Sequence, residues 1–404
     1  MRAALLPLTI VMLPQIALSV MQLGVPVLAP ALIADLGLVP EAVGIIGGCV
    51  GLGSVWMFAA NRAVTPILGP LQALAIACML SVFGGGLFLS GEIAGILAGS
   101  VLIGFAYAVT APAGSQILSA HVPKPWWGTA FSIRQAGVPL GGAIAGIIGT
   151  ALAVRFGWQV AIMGLAILPL LCAAMLGVAP QAFRGGGNGQ RFQLSGLLRP
   201  SIVISPFQTL KALPQLRGLT FASLGFAAVQ GSLFSFFTTY MTDGLGLGLG
   251  LAGALFATMQ VVSFGGRLCA GVLADRIGSF RAVLIGMSLA ATCGCVLMAS
   301  IKPDWPTSVL FAVAGLIGLT AATWNGLFLA EIARVVPPDQ VGQATAGSTF
   351  FTFVAYMATP PAFALAIHLT DYQVAFFLAG VAAFLAFGCL VGGLWTRASA
   401  TSEH

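Results

Sequence analysis

The sequence predicts an all-α polytopic membrane protein, with twelve transmembrane helices in two pseudo-symmetric six-helix bundles. Three observations carry that prediction. Only 6% of the 404 residues are charged and 59% are hydrophobic, at a mean hydropathy of +1.04. Twelve apolar runs reach the roughly 20 residues that a helix needs to cross a hydrocarbon core of ~30 Å. One long polar stretch divides those runs six and six. Such a composition excludes an ordinary soluble domain.

Span 1 is predicted over Leu5–Ile33 and holds Pro14, Pro26 and Pro30. Breakers inside a membrane helix are tolerated where neighbours or a cavity satisfy the released backbone groups. The run after Met1-Arg2 is too long for a signal peptide and lacks a cleavage site, so it reads as an uncleaved helix. Span 2, Ala42–Ala60, places Gly44, Gly47, Gly48 and Gly51 as small pairs that let helices approach. Spans 3 and 4 follow at Leu71–Ser90 and Ile93–Ala120. Span 5, Trp127–Val154, begins at Trp126-Trp127, a pair suited to the membrane interface. Span 6, Gln159–Val178, closes a first bundle over residues 1–178. Residues 179–218 have linker composition, with the Gly-rich run Arg184–Arg191 and four prolines. The second bundle, residues 219–396, is predicted from span 7 (Leu219–Tyr240), span 8 (Leu251–Leu273) and span 9 (Ala282–Ser300). Span 10 (Thr307–Ile332), span 11 (Val341–Ile367) and span 12 (Gln373–Leu394) complete it, with a tail at 397–404. The glycine-rich Gly244–Gly250 reads as a flexible connection between spans 7 and 8.

The net charge of +6 follows the spans. Arg2, Arg62, Lys124, Arg184, Arg191, Arg199, Lys211, Arg217, Arg276, Arg281, Arg334 and Arg397 fall on one side, and only Arg155 and Lys302 on the other. Asp35, Glu41, Glu92, Asp243, Asp304 and Asp371 lean to that other side. The positive-inside bias therefore predicts both termini in the cytoplasm, in a cell (inner) membrane. The basic balance is a signal of topology and gives no reason to expect nucleic acid as a partner. All seven cysteines sit in apolar runs without C-x-x-C, and the three histidines are scattered. Neither a disulfide framework nor a metal site is expected.

The two halves share residues as well as helix count. At a constant offset of 214, Val122-Pro123 falls on Val336-Pro337, Gly128 on Gly342 and Ala130 on Ala344. Trp158-Gln159-Val160-Ala161 falls on Tyr372-Gln373-Val374-Ala375 in the same register. A duplicated six-helix unit places a solute site near the bilayer midplane between repeats. Between spans 8 and 9 stands Gly271-Val-Leu-Ala-Asp275-Arg276-Ile-Gly278-Ser-Phe-Arg281. This resembles the signature cytoplasmic loop of the major facilitator superfamily, and the 6 + 6 layout extends the resemblance over the whole chain. The resemblance implies a conformational latch in which Gly271 and Gly278 allow the turn, Asp275 caps or pairs, and Arg276 and Arg281 supply countercharge. Glu331 on span 10 is expected to pair with Arg276 or Arg281, and is otherwise the candidate proton carrier. The loop after span 2 departs from the pattern: aligned on Gly69, Pro66 and Ile67 take the Asp and Arg positions. That departure puts a symmetric latch in doubt. Gly137-Val-Pro139-Leu-Gly141-Gly142 on span 5 resembles a glycine signature of proton-coupled drug antiporters, and helix packing explains the run as well.

Two ionisable residues lie deep in the spans, where such groups are costly and mark functional sites. Arg267 precedes Asp275 by eight residues, about 12 Å at 1.5 Å per residue. Arg134 follows Pro125 by nine, about 13 Å by the same rise. No acid stands at that depth, so the two guanidiniums call for an anion, and Arg suits bidentate carboxylate recognition. Arg267, four residues before Gly271, resembles the helix-8 arginine of the oxalate and monocarboxylate transporters in that superfamily. If the resemblance holds, spans 5 and 8 meet at the cavity and one anion could bridge both. The competing reading has Arg134 snorkel to the cytoplasmic face and pair with Asp275 or Glu331. Gln22, Tyr107, Gln135, Gln230 and Asn325, beside Trp324, either line a cavity or make interhelical hydrogen bonds.

The function expected is secondary transport of a small organic or inorganic anion by alternating access, with symport of protons left open. A proton-coupled exporter of drugs or metabolites is the alternative, disfavoured because exporters of cationic drugs usually need a buried carboxylate. No nucleophile–base constellation points to an enzyme, and the absence of G-x-x-x-x-G-K-[ST] disfavours ATP coupling. The partners expected are the solute, the bilayer and, in the symport case, protons; no cofactor is expected, and the chain is expected to act as a monomer.

Overall fold

The computed structural model describes residues 2–122, 127–179, 201–337 and 340–401. Trp126 and the Arg184–Arg191 run of the linker lie outside them. Every regular element among the described residues is helical, and twelve helices are long and apolar enough to cross a membrane. Spans 1 to 6 are Leu5–Leu36, Ala42–Ala60, Pro70–Phe88, Ile93–His121, Ile133–Phe156 and Trp158–Gly177. Spans 7 to 12 are Pro214–Gly244, Leu249–Ile277, Phe280–Ser300, Thr307–Val335, Ala344–Leu369 and Tyr372–Gly392. Each predicted run lands on one of them. Ser201–Ala212, inside the stretch read as linker, is a further helix. It packs on span 11, where a Cβ on Gly347 would come within 2.9 Å of the Thr209 side chain.

The chain divides into two compact units, Met1–Pro200 with Ser235–Ala257, and Ser201–Phe234 with Thr258–His404. The ends of spans 7 and 8 that meet at the Gly244–Gly250 connection therefore belong to the first unit. Two contacts hold them there. Pro30 has no N–H to offer the Pro26 carbonyl one turn back, and the Thr238 hydroxyl donates to that carbonyl at 2.9 Å. On span 5 the helix widens to π form over Ala145–Gly149, and a Cβ on Gly146 would stand 2.7 Å from the Gly253 oxygen. Backbones this close need glycine at the contact.

Each unit repeats one packing device. In the first, Gly104 of span 4 lies so near span 2 that a Cβ would be 1.9 Å from the Val50 oxygen. In the second, Gly318 of span 10 lies against Met259 of span 8, 2.1 Å by the same measure. Gly104 and Gly318 differ by the offset of 214 read from the sequence, so the duplication persists in packing. The loops after spans 2 and 8 agree. Gly69 and Gly278 turn the chain at φ 76° and 72°, a region that side-chain-bearing residues avoid.

The seams beside these contacts have diverged. Between spans 1 and 5, Gly137 and Gly141 sit against Gln15, Ile16 and Ser19. Between spans 7 and 11, hydroxyls meet instead: Thr220 donates to Ser348 at 2.9 Å, and Ser223 and Thr352 share a hydrogen bond of 2.8 Å.

Candidate functional site

Span 10 does not run as one regular helix. It is helical over Thr307–Thr320, turns through Ala321–Trp324 and resumes over Asn325–Val335. The Thr323 hydroxyl donates to the Gly318 carbonyl at 2.9 Å, the side-chain competition with the backbone ladder that threonine brings to a helix. Trp324 is fully buried, stacked on Phe226 at 5.1 Å and edge-on to Phe328 at 5.5 Å. That aromatic cluster fixes where the turn falls.

Two sets of side chains gather on the interruption. From span 8, Ser263 and Arg267 both donate to the Ala322 carbonyl, at 3.0 and 2.9 Å. Gln260, Ser263 and Arg267 follow helical spacing and share one face of span 8. Gly266 leaves room for the neighbouring span, since a Cβ there would meet the Thr323 hydroxyl at 3.0 Å. Gln260 is 1% exposed, and its amide nitrogen has no acceptor among the described residues. From span 7, the Gln230 Oε1 accepts from Trp324 Nε1 at 2.9 Å, from Asn325 Nδ2 at 3.2 Å and from the Tyr356 hydroxyl. An indole N–H can only donate, so Trp324 fixes which way the Gln230 amide points.

In the first unit, Arg134 is buried on span 5 and donates through Nη1 to the Thr110 carbonyl of span 4 at 3.1 Å. Gly114 opens the space, because a Cβ there would lie 3.2 Å from the Arg134 Cδ. Tyr107 lies within electrostatic reach of the guanidinium. Gln15 of span 1, packed on Gly137 one turn along from Arg134, is buried with its carbonyl oxygen lacking a donor among the described residues. Gln22 and Gln135 are half-buried. The sequence-predicted residues thus gather in two places: Arg134 with Tyr107 in one unit, and Gln230 with Asn325 close to Arg267 along span 10 in the other.

The loop between spans 8 and 9 carries the residues of the expected latch. Asp275 and Arg276 are exposed, and neither makes a hydrogen bond or ion pair among the described residues. Arg281 donates twice to the Leu390 carbonyl of span 12, at 2.9 and 2.6 Å, so its guanidinium anchors the loop to backbone. Arg334, read in the sequence only as a charge that marks topology, donates to the Gly278 carbonyl at 2.9 Å. Glu331 is buried on the same helix.

Gln260, Ser263 and Tyr356 were also missed. The i, i+3, i+7 spacing that ends on Arg267 was the available signal for the first two. Tyr356 gave none, as one aromatic among many in span 11. All seven cysteines are free, and no cluster of three metal-ligating side chains occurs among the described residues.

The sequence pattern of the Major Facilitator Superfamily matches residues 15–346. An MFS-type transporter of Gibberella moniliformis is 28% identical over 236 residues, which are 57% of this chain and 51% of that protein. An uncharacterized MFS-type transporter of Mycobacterium tuberculosis is 25% identical over 272 residues, 67% of this chain and 58% of that protein. The chain therefore spans little more than half the length of these curated relatives. Among solved structures, a mutant of the nucleoside transporter NupG superposes with a TM-score of 0.76 at 14% identity, covering 96% of this chain and 99% of that one. Likeness at that identity is likeness of fold.

Proposed function

The chain belongs to the Major Facilitator Superfamily, and from that premise we propose that it is a secondary transporter of a small anionic solute, working by alternating access. One observation carries the anionic reading: Arg267 is half-buried in a membrane span, at the end of a polar stripe facing the interruption of span 10. A guanidinium held there by its Ala322 contact is oriented before any solute arrives, and planar Arg suits a carboxylate. Within the first unit we assign solute contacts to Arg134 with Tyr107, Gln22 and Gln135, and within the second to Asn325, whose amide Gln230 holds in place. We assign Gly271, Asp275, Arg276, Gly278, Arg281 and Glu331 to gating. Exposed Asp275 lies at the end of its helix, too shallow for a midplane ligand.

The test is uptake of labelled acetate, lactate and oxalate into proteoliposomes carrying the full chain. Saturable uptake of one of them is expected, reduced about tenfold or more by Arg267→Lys, which keeps the charge and loses the fork. Asp275→Asn should slow uptake and leave the half-saturating concentration unchanged. An imposed pH gradient decides proton coupling in the same assay. Uptake indifferent to both Arg267→Lys and Arg134→Lys would end the anion reading.

A further inference from the structure

We propose that the side chains converging on Gln230 form an oxyanion subsite, occupied by the Gln230 amide oxygen until a solute carboxylate displaces it. The proposal deepens the transport reading and rests on it for the identity of the carboxylate as cargo.

The argument begins with a count of donors and lone pairs. Trp324 Nε1, Asn325 Nδ2 and the Tyr356 hydroxyl, three donors, aim at the one oxygen of Gln230. An amide oxygen has two lone pairs, so the three donors share too little acceptor. A carboxylate offers about four acceptor directions and takes hydrogen bonds roughly twice as strong as a neutral amide does. The Gln230 side chain is only 2% exposed, so its oxygen meets these donors out of water. Trp324, donor-only, prevents an amide flip from exchanging the two ends. The arrangement therefore fits an incoming oxyanion better than it fits its present occupant.

Two further observations point the same way. Asn325 is the first residue of the second helical segment of span 10, and a helix N-terminus carries partial positive charge that favours anions. Gly326, next in the chain, is exposed, and a Cβ placed there would meet nothing within 4 Å. Asn325 and Tyr356 are themselves half-buried rather than sealed. Trp324, locked between Phe226 and Phe328, keeps one donor in place whether or not Gln230 is present.

Acetate is the probe, with acetamide as its neutral isostere and sodium chloride as the ionic control. Saturation-transfer NMR on the full chain in detergent measures weak binding directly. Gln230→Ala removes the internal competitor, so acetate should bind about tenfold tighter than to wild type, and acetamide more weakly than acetate. Adding Tyr356→Phe should weaken acetate about tenfold, the cost of one hydrogen bond to a charged group. If Gln230→Ala fails to fold, Gln230→Asn serves, since its shorter amide withdraws from the donors. No saturable acetate response, indifference to Tyr356→Phe, or acetamide binding as tightly as acetate would each overturn the proposal. Carboxylate uptake without these responses sinks the subsite alone; the responses without any uptake sink the transport reading alone.

Discussion

Arg267 and Ser263 share one acceptor, the Ala322 carbonyl, and that sharing sets what either residue is worth to the fold. Removing one leaves the other to satisfy the carbonyl. Loss of this one contact, by Arg267→Ala or by Ser263→Ala, should cost no more than about 1 kcal/mol of stability in detergent, the scale of an interhelical hydrogen bond in membranes. The double variant strands a buried carbonyl and should lose about 1–3 kcal/mol beyond the sum. Thermal unfolding of the three variants measures this, and additivity would show that the shared acceptor is not felt. Polar residues inside apolar runs were legible one by one: Gln230, Asn325, Arg134 and Arg267 all stood out. Their partners were not. Whether Gln230 meets Trp324 depends on how spans 7 and 10 rotate about their axes, which no local pattern in either span records.

The interruption of span 10 was hidden from the sequence for a related reason. Ala321–Trp324 contains no proline or glycine, and the lapse comes from the local bond of the Thr323 hydroxyl to Gly318 and from the seating of Trp324 on Phe226 of another span. Glycine contacts were half legible. The abundance of glycine was plain, yet nothing in the sequence separated Gly104 and Gly318, which touch backbone, from Gly265, whose Cβ would meet nothing within 4 Å. The difference is testable. Gly104→Ala and Gly318→Ala should each cost about 1–3 kcal/mol, the range of overpacked cores, while Gly265→Ala should be neutral or slightly stabilising, given the helix preference of alanine. Melting temperature and monodispersity in detergent report both. Equal effects at all three positions would refute the close helix contact.

For the molecule as a whole, the count of twelve spans was legible because the bilayer fixes the length of every apolar run. The grouping of Ser235–Ala257 with the first unit was not, since it depends on Thr238 reaching Pro26 and on Gly146 meeting Gly253, contacts between distant parts of the chain. The arginine distribution makes a prediction at this scale. On a cysteine-free background, Asp304→Cys should react with an impermeant maleimide in intact cells and Ser279→Cys should not; the opposite pattern would invert the topology. The two seams, glycine in one bundle and hydroxyl in the other, answer differently to solvent. The glycines of the first seam adhere by shape alone, and beside them the Gln15 carbonyl oxygen is a buried acceptor without a donor among the described residues. The Thr220–Ser348 and Ser223–Thr352 rungs can exchange each other for water and lose little. Span 11 can therefore be hydrated along span 7 and dry again reversibly, rung by rung, while water entering between spans 1 and 5 has the Gln15 side chain to bind: one seam is wetted along its length, the other at a point.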